Sequence, residues 1–131
     1  RSLPPISIQS APPWDWPAIG KVIVEFGERS STGILIGGSA DQSIKAAATG
    51  TVVYSGNGLI GYGELIILRH NDTYLSAYGH NASLLVRDGQ SIKKGQQIAT
   101  MGKGPRGKSR LHFEIRRNGK PVNPRQYLPT K

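Results

Sequence analysis

Glycine, proline and Asn/Asp breaks fall so often in this chain that no apolar stripe keeps the 3.6-residue period of a long helix. Between the breaks lie short runs, apolar or alternating and rich in Val, Ile and Tyr, as a pleated surface prefers. The runs at 21–26, 33–37, 43–46, 51–54, 64–69, 74–78, 97–101 and 111–116 read as strands. Gly37-Gly38, the stretch 56–63, His70-Asn71-Asp72, Arg87-Asp88-Gly89 and Arg117-Asn118-Gly119 separate them. Asn118-Gly119 is the strongest hairpin signal among these breaks. With 17 glycines, 9 prolines and 37% hydrophobic residues, the 131 residues suit one all-β domain. Five of the nine prolines, together with Trp14 and Trp16, lie within 1–17. That segment reads as an extended lead-in that lays one or both indoles on a domain spanning 18–131.

The chain has no cysteine, so neither a disulfide framework nor a thiolate metal site is available to it. No stretch approaches the roughly 18 apolar residues of a membrane span. The opening Arg1-Ser2-Leu3-Pro4-Pro5 lacks the apolar run of a secretory signal, and any targeting segment is expected outside these residues. A net charge of +9 suits an anionic partner: nucleic acid, acidic lipid, an acidic wall polymer or an acidic protein. The basic residues come in scattered pairs such as Lys93-Lys94 and Arg116-Arg117, without the aromatic string of an RNA-binding sheet. Nucleic acid is therefore not the expected partner.

Two glycine-rich stretches match nucleotide-binding patterns on paper. Gly102 to Ser109 fits G-x-x-x-x-G-K-[ST], and Gly56 to Gly61 fits G-x-G-x-x-G. Both chemistries need a helix directly after the loop, whose N-terminal amides hold the phosphates. The first loop leads instead into the alternating run 110–116, and the second into the apolar run 64–69. Both runs are strands, so both loops read as turns.

Several stretches taken in order carry a more specific likeness. They are Trp16-Pro17 with Gly20, then Phe26-Gly27-Glu28-Arg29, and Ser43 to Gly50 followed by Thr51-Val52-Val53-Tyr54-Ser55-Gly56. Gly63 to His70, Tyr74 to His80, Gly89 to Ala99, and Leu111-His112-Phe113-Glu114-Ile115 complete the set. Together they resemble the LytM or M23 family of zinc peptidoglycan endopeptidases, over roughly residues 16–128. The resemblance implies an all-β LytM (M23, duplicated-hybrid-motif) domain of short antiparallel strands with a central groove. Active members hold zinc with the His and Asp of an H-x-G-x-D motif and the second His of H-x-H. A mid-chain His and the first His of H-x-H assist. Three protein ligands leave one zinc position open for the water that becomes the nucleophile.

This chain departs from that pattern where the chemistry is most demanding. The first motif aligns with Ser31-Thr32-Gly33-Ile34-Leu35, which keeps the glycine but puts Ser31 and Leu35 at the ligand positions. The second reads Arg110-Leu111-His112, so His112 stays while Arg110 replaces the first His; His80 matches the mid-chain His. Two of three ligands are lost, and the resemblance implies a non-enzyme without metal or cofactor. The stretches 57–63, 70–78, 96–102 and 121–129 resemble in particular the NlpD-type amidase activators, a group of envelope lipoproteins with degenerate LytM domains. That group's usual lipidated N-terminus and LysM wall-binding module are not within these 131 residues.

The implied function is non-catalytic activation of a periplasmic N-acetylmuramoyl-L-alanine amidase (AmiC-type) that splits septal peptidoglycan during cell division. The implied setting is the periplasm, with the full-length protein anchored to the outer membrane. The groove expected to meet the partner comprises Ile34, Leu35, Tyr62, Tyr78, His80, Lys103, Arg106, Lys108, Arg110 and His112. Simpler readings stand beside this one. His80 and His112 either contact the partner or only hydrogen-bond inside the old groove, and His70 packs or caps a turn. Arg110 either binds a partner or forms an internal ion pair with Glu114 or Glu64; alternation puts Arg110, His112 and Glu114 on one strand face. Ile34 and Leu35 either fill the former metal space or floor it for a docking helix. Two other functions remain open: a peptidoglycan-binding module without a protein client, and a zinc endopeptidase with substitute ligands such as Asp41, Glu28 or His80.

Overall fold

The structure, a computed structural model, describes residues 12–104 and 107–130. Ten strands run in chain order: β1 Val22–Val24, β2 Ile34–Gly37, β3 Ser43–Lys45, β4 Gly50–Gly56, β5 Glu64–Arg69, β6 Tyr74–Leu84, β7 Ser91–Ile92, β8 Gln97–Met101, β9 Arg110–Arg117 and β10 Lys120–Val122. The helical content among the described residues is limited to short 3-10 turns such as Glu28–Ser30 and Pro124–Gln126, and no helix is long and apolar enough to cross a membrane. The chain is all-β, as its punctuation predicts.

The main sheet has the order β1-β2-β9-β6-β5-β4-β7, with β10 paired to the end of β9. Every pairing in it is antiparallel. The eleven-residue strand β6 is longer than its apolar run suggests, because it serves two neighbourhoods. Residues 74–79 lie between β5 and β9, whereas 81–84 pair with β8, which in turn pairs with β3. The bend between the two halves falls at His80, whose φ is 64°. A non-glycine residue in that region is uncommon and marks a backbone held there by its surroundings. Here the hold is visible: His80 donates its N–H to the Tyr62 carbonyl at 2.7 Å, and its own carbonyl accepts from Gly102 at 2.9 Å.

Period-two alternation sorts the side chains of the central strands. Ile34, Ile36, Ile66, Leu68, Tyr78, Leu111, Phe113 and Ile115 face inward, where Ile44 of β3 and Ile98 of β8 meet them in one core. The opposite face of β9 carries Arg110, His112, Glu114 and Arg116. Cross-strand register sets Leu35 beside His112, Gly79 beside His112, Ala77 beside Glu114, and Leu75 beside Arg116. A polar and a core face thus alternate along one strand, and the polar face is where the site lies.

The expected turn at Asn118-Gly119 is present, with φ of 51° and 78° at its two residues, both positive as a type I′ turn requires. The segment before residue 18 lays both indoles on the domain. Trp14 is buried and meets His70, Tyr74 and Tyr127 edge-on at ring separations of 4.8, 6.2 and 6.4 Å. Trp16 donates its indole N–H to the Pro129 carbonyl at 2.9 Å, which ties the two ends of the domain together. Residues 1–11 lie outside the described residues.

Candidate functional site

The outward face of β2 and β9 opens into a cavity of about 410 Å³ lined by Ile23, Val24, Glu28, Arg29, Ser31, Leu35, His80, Arg110 and His112. The structure brings together five of the residues that the sequence singles out, since Ser31, Leu35, His80, Arg110 and His112 line one space. The convergence arises from register. Leu35 pairs directly with His112, Gly37 with Arg110, and the bend of β6 swings the His80 ring to 6.1 Å from that of His112. Gly33, the retained glycine of the first motif, sits where an added Cβ would run into the Phe113 carbonyl oxygen. Its place in the motif therefore reflects a close backbone approach rather than metal chemistry.

The donors in this cavity do not fit zinc. A zinc site needs three convergent N or O ligands with free lone pairs. Leu35 has none, and Ser31 turns its hydroxyl to the Gly33 carbonyl at 2.8 Å. His112 commits its Nε2 to Glu114 Oε2 at 2.8 Å, which leaves Nδ1 as its one ring nitrogen for an ion, and a single imidazole does not make a zinc site. Glu28 accepts the Glu25 N–H at 2.6 Å. Among the described residues no three His, Cys, Asp or Glu side chains cluster as metal ligands.

Arg110 occupies the vacated space differently from either expected ion pair. Its Nε is buried with no hydrogen-bond partner among the described residues. The ion pairs among those residues join it to neither Glu114 nor Glu64. Glu114 is not free to meet it. That carboxylate is fully buried and accepts from Thr32 Oγ1 at 2.6 Å, Tyr62 OH at 2.8 Å, His112 Nε2 at 2.8 Å and Arg116 Nε at 2.8 Å. Burial alone would raise its pKa, but the four donors outweigh burial and hold it at about 2. Arg110 is thus left with an unsatisfied donor at the wall of a cavity, which is destabilising unless an acceptor arrives from outside.

The remaining predicted residues divide. Ile34 and Tyr78 belong to the core and not to the groove, because each falls on the inward phase of its strand. The Tyr78 hydroxyl is enclosed, accepts the Ala47 N–H at 2.9 Å and bonds Ser76 Oγ at 2.8 Å. Its pKa is pushed by burial up to about 12. Lys103 and Lys108 are exposed on a loop closed by the Lys103–Ser109 bridge, and that loop runs straight into β9, as a turn and not a phosphate cradle would. Arg106 lies outside the described residues. Tyr62 is half-buried rather than a free rim. Its ring lies edge-on to His112 at 5.6 Å, and its hydroxyl reaches Glu114.

His80 is held below its ordinary pKa by burial and by the neighbouring His112. His70 is structural, as the sequence suggests: Nδ1 meets the Thr49 carbonyl and Nε2 meets Ser76 Oγ, both at 2.7 Å. Burial lowers its pKa more than the Thr49 bond raises it. Ile23, Val24, Arg29 and Arg116 of this face are not among the site residues the sequence points to. Arg29 comes after a left-handed Gly27 and itself has φ of 52°, which no periodicity reveals. Arg116, by contrast, continues the 110-112-114 alternation, and that signal could have found it.

Comparison with known proteins comes to the same place. The "Lipoprotein NlpD/LppB homolog" of Pseudomonas aeruginosa is 57% identical over 120 residues, covering 90% of this chain and 40% of that protein. The "Murein hydrolase activator NlpD" of Escherichia coli K12 is 58% identical over 120 residues, covering 90% and 32% respectively. This chain thus spans less than half the length of these relatives. A crystal structure of a putative peptidase M23 from Pseudomonas aeruginosa superimposes with a TM-score of 0.80 at 23% identity over 92% of this chain and 52% of that one, a likeness of fold. The sequence profile of Peptidase family M23 matches residues 29–124, a span that holds the whole cavity except Ile23, Val24 and Glu28. With most of the chain matched and the strand order carrying the family's two motif positions to one groove, the protein belongs to peptidase family M23.

Proposed function

We propose that this domain is a non-catalytic activator of a periplasmic N-acetylmuramoyl-L-alanine amidase of the AmiC type, acting in septal peptidoglycan splitting. The observation that carries the reading is the cavity itself: a hydrophobic residue and a guanidinium whose Nε has no partner among the described residues stand where a hydrolase needs ligands and a general base. A site that cannot make a nucleophile but presents an unsatisfied donor suits a receptor. The names of relatives, murein hydrolase activator, lipoprotein and outer membrane antigenic lipoprotein B, support the same role and an envelope lipoprotein anchored at the outer membrane.

In this mechanism the groove receives an inhibitory helix of the amidase. Arg110 meets a carboxylate or a free backbone carbonyl of that helix, and Leu35 with the half-exposed Ile23 offers it apolar surface. Activation is a population shift, so the domain must bind the open amidase more tightly than the closed one.

The test mixes the domain with a purified amidase and dye-labelled sacculi. Release is expected from the mixture and not from the domain alone. Release by the domain alone that a chelator abolishes would mean a working metal site and would end the proposal. Retention on sacculi with no effect on the amidase would favour a wall-binding module instead.

A further inference from the structure

The groove does not stop at Arg110. The same outward face of β9 continues through Glu114 and Arg116 to a second cavity of about 270 Å³, walled by Leu65, Ile67, Leu75 and Ala77 and roofed by Leu59. Tyr62 stands between the two, edge-on to His112 and bonded to Glu114. One sheet face is thus divided into two compartments of opposite character. In the first, Arg110 Nε lacks an acceptor among the described residues. In the second the bordering polar groups are already paired: Glu114 has four donors, and Arg116 bonds Glu114, the Gly119 carbonyl and Tyr62 OH. An apolar group entering it leaves no polar group stranded, whereas a sugar would find few free partners for its hydroxyls. The roof loop also carries Ile60 fully exposed, which enlarges the apolar surface beside an apolar cavity.

We propose that this second cavity receives an aliphatic side chain of the same amidase helix whose acceptor meets Arg110, so that the groove reads an acidic and an apolar residue together. The inference rests on the activator reading, and two things select the occupant. Two cations, Arg29 and Arg110, against the single carboxylate of Glu28 make the first compartment complementary to an acidic group. The second compartment lies farther along the same face of β9, beyond Tyr62, and is complementary to a hydrocarbon. The compartments lie about four strand residues apart along β9 and one or two strands apart across the sheet, roughly 13–16 Å. A helix rising 1.5 Å per residue bridges that span in about eight to eleven residues, two to three turns on one face. The occupant is therefore an amphipathic helix with an Asp or Glu and a Leu-class residue at that spacing.

The experiment compares Ala77→Met, which fills the second cavity with the domain's own side chain, and Leu59→Asp, which charges its exposed roof, with Arg110→Glu. Each variant is titrated against the purified amidase on dye-labelled sacculi, with thermal unfolding as the folding check. All three variants are expected to need about tenfold more protein for half-maximal release, with Leu59→Asp unfolding as the wild type does. Loss with Arg110→Glu but full activity with both Leu59→Asp and a folded Ala77→Met overturns the second compartment and leaves the activator reading standing. Wild-type activity in all three variants overturns both. Weakened sacculus binding with unchanged amidase activation would assign the cavity to the wall polymer and overturn the inference.

Discussion

Arg110 and Glu114 share one face of one strand and meet opposite fates. Glu114 is buried among four donors, so its folded pKa lies at about 2 against an ordinary value of 4.5. A carboxyl depressed in this way contributes stability that is complete above its unfolded pKa and lost as pH falls through the folded one. His80 and His70 are likewise lowered from 6.5, mainly by burial, and favour the neutral form in the folded state. Acid should therefore destabilise the domain in two stages: first below about pH 6.5, as the two imidazoles are forced to charge, then from about pH 4.5 towards 2 as Glu114 takes a proton. Denaturant midpoints measured across that range check the order. Glu114→Gln removes the second stage and costs about 1–3 kcal/mol at neutral pH, because Arg116 loses its counter-charge. Arg110→Ala is expected to raise stability by about 1 kcal/mol, since it removes a buried Nε that has no acceptor among the described residues. The motif departures at Ser31, Leu35 and Arg110 were legible in the sequence. The loss of Glu114 as a partner for Arg110 was not, because alternation reports the face a residue occupies and not which neighbours compete for it.

At the level of elements, β6 and the segment before β1 determine how the groove is built. The first half of β6 supplies Gly79 and Ala77 to the groove floor, and the second half crosses to β8; both depend on the left-handed bend at His80. Eight strands were visible as apolar runs, and the turn at Asn118-Gly119 was visible from its residue types. The extension of β6 to Leu84 and the short β7 and β10 were not, since Asn81-Ala82-Ser83, Ser91-Ile92 and Lys120-Pro121-Val122 carry too little alternation to read. Two residues of the Pro-rich lead-in turn out to hold the domain together. Trp14 packs against rings from two separate regions, the turn at His70 with Tyr74 and the C-terminal Tyr127, and removing it leaves a cavity among them. Trp14→Ala should lower unfolding stability by about 3 kcal/mol, read from chemical denaturation.

Across the whole molecule, charge and shape favour the same class of partner. A net +9 on 131 residues gives a field that draws an acidic helix before contact, so rate and not only affinity should depend on salt. Raising salt from about 0.05 to about 0.5 M is expected to slow association with the amidase roughly tenfold, measured by stopped-flow or surface binding. The fold was legible because punctuation alone excludes long helices; the division of the sheet face by Tyr62 was not, because it depends on where one loop folds back. If a partner helix takes the space where active members of the family hold zinc, the two occupants must exclude each other. The most direct measurement restores the lost ligands with Ser31→His, Leu35→Asp and Arg110→His together, then records zinc content and amidase activation side by side. One zinc per chain with activation lost is the predicted result. One zinc per chain with activation intact would show that the partner binds elsewhere and contradict the activator groove.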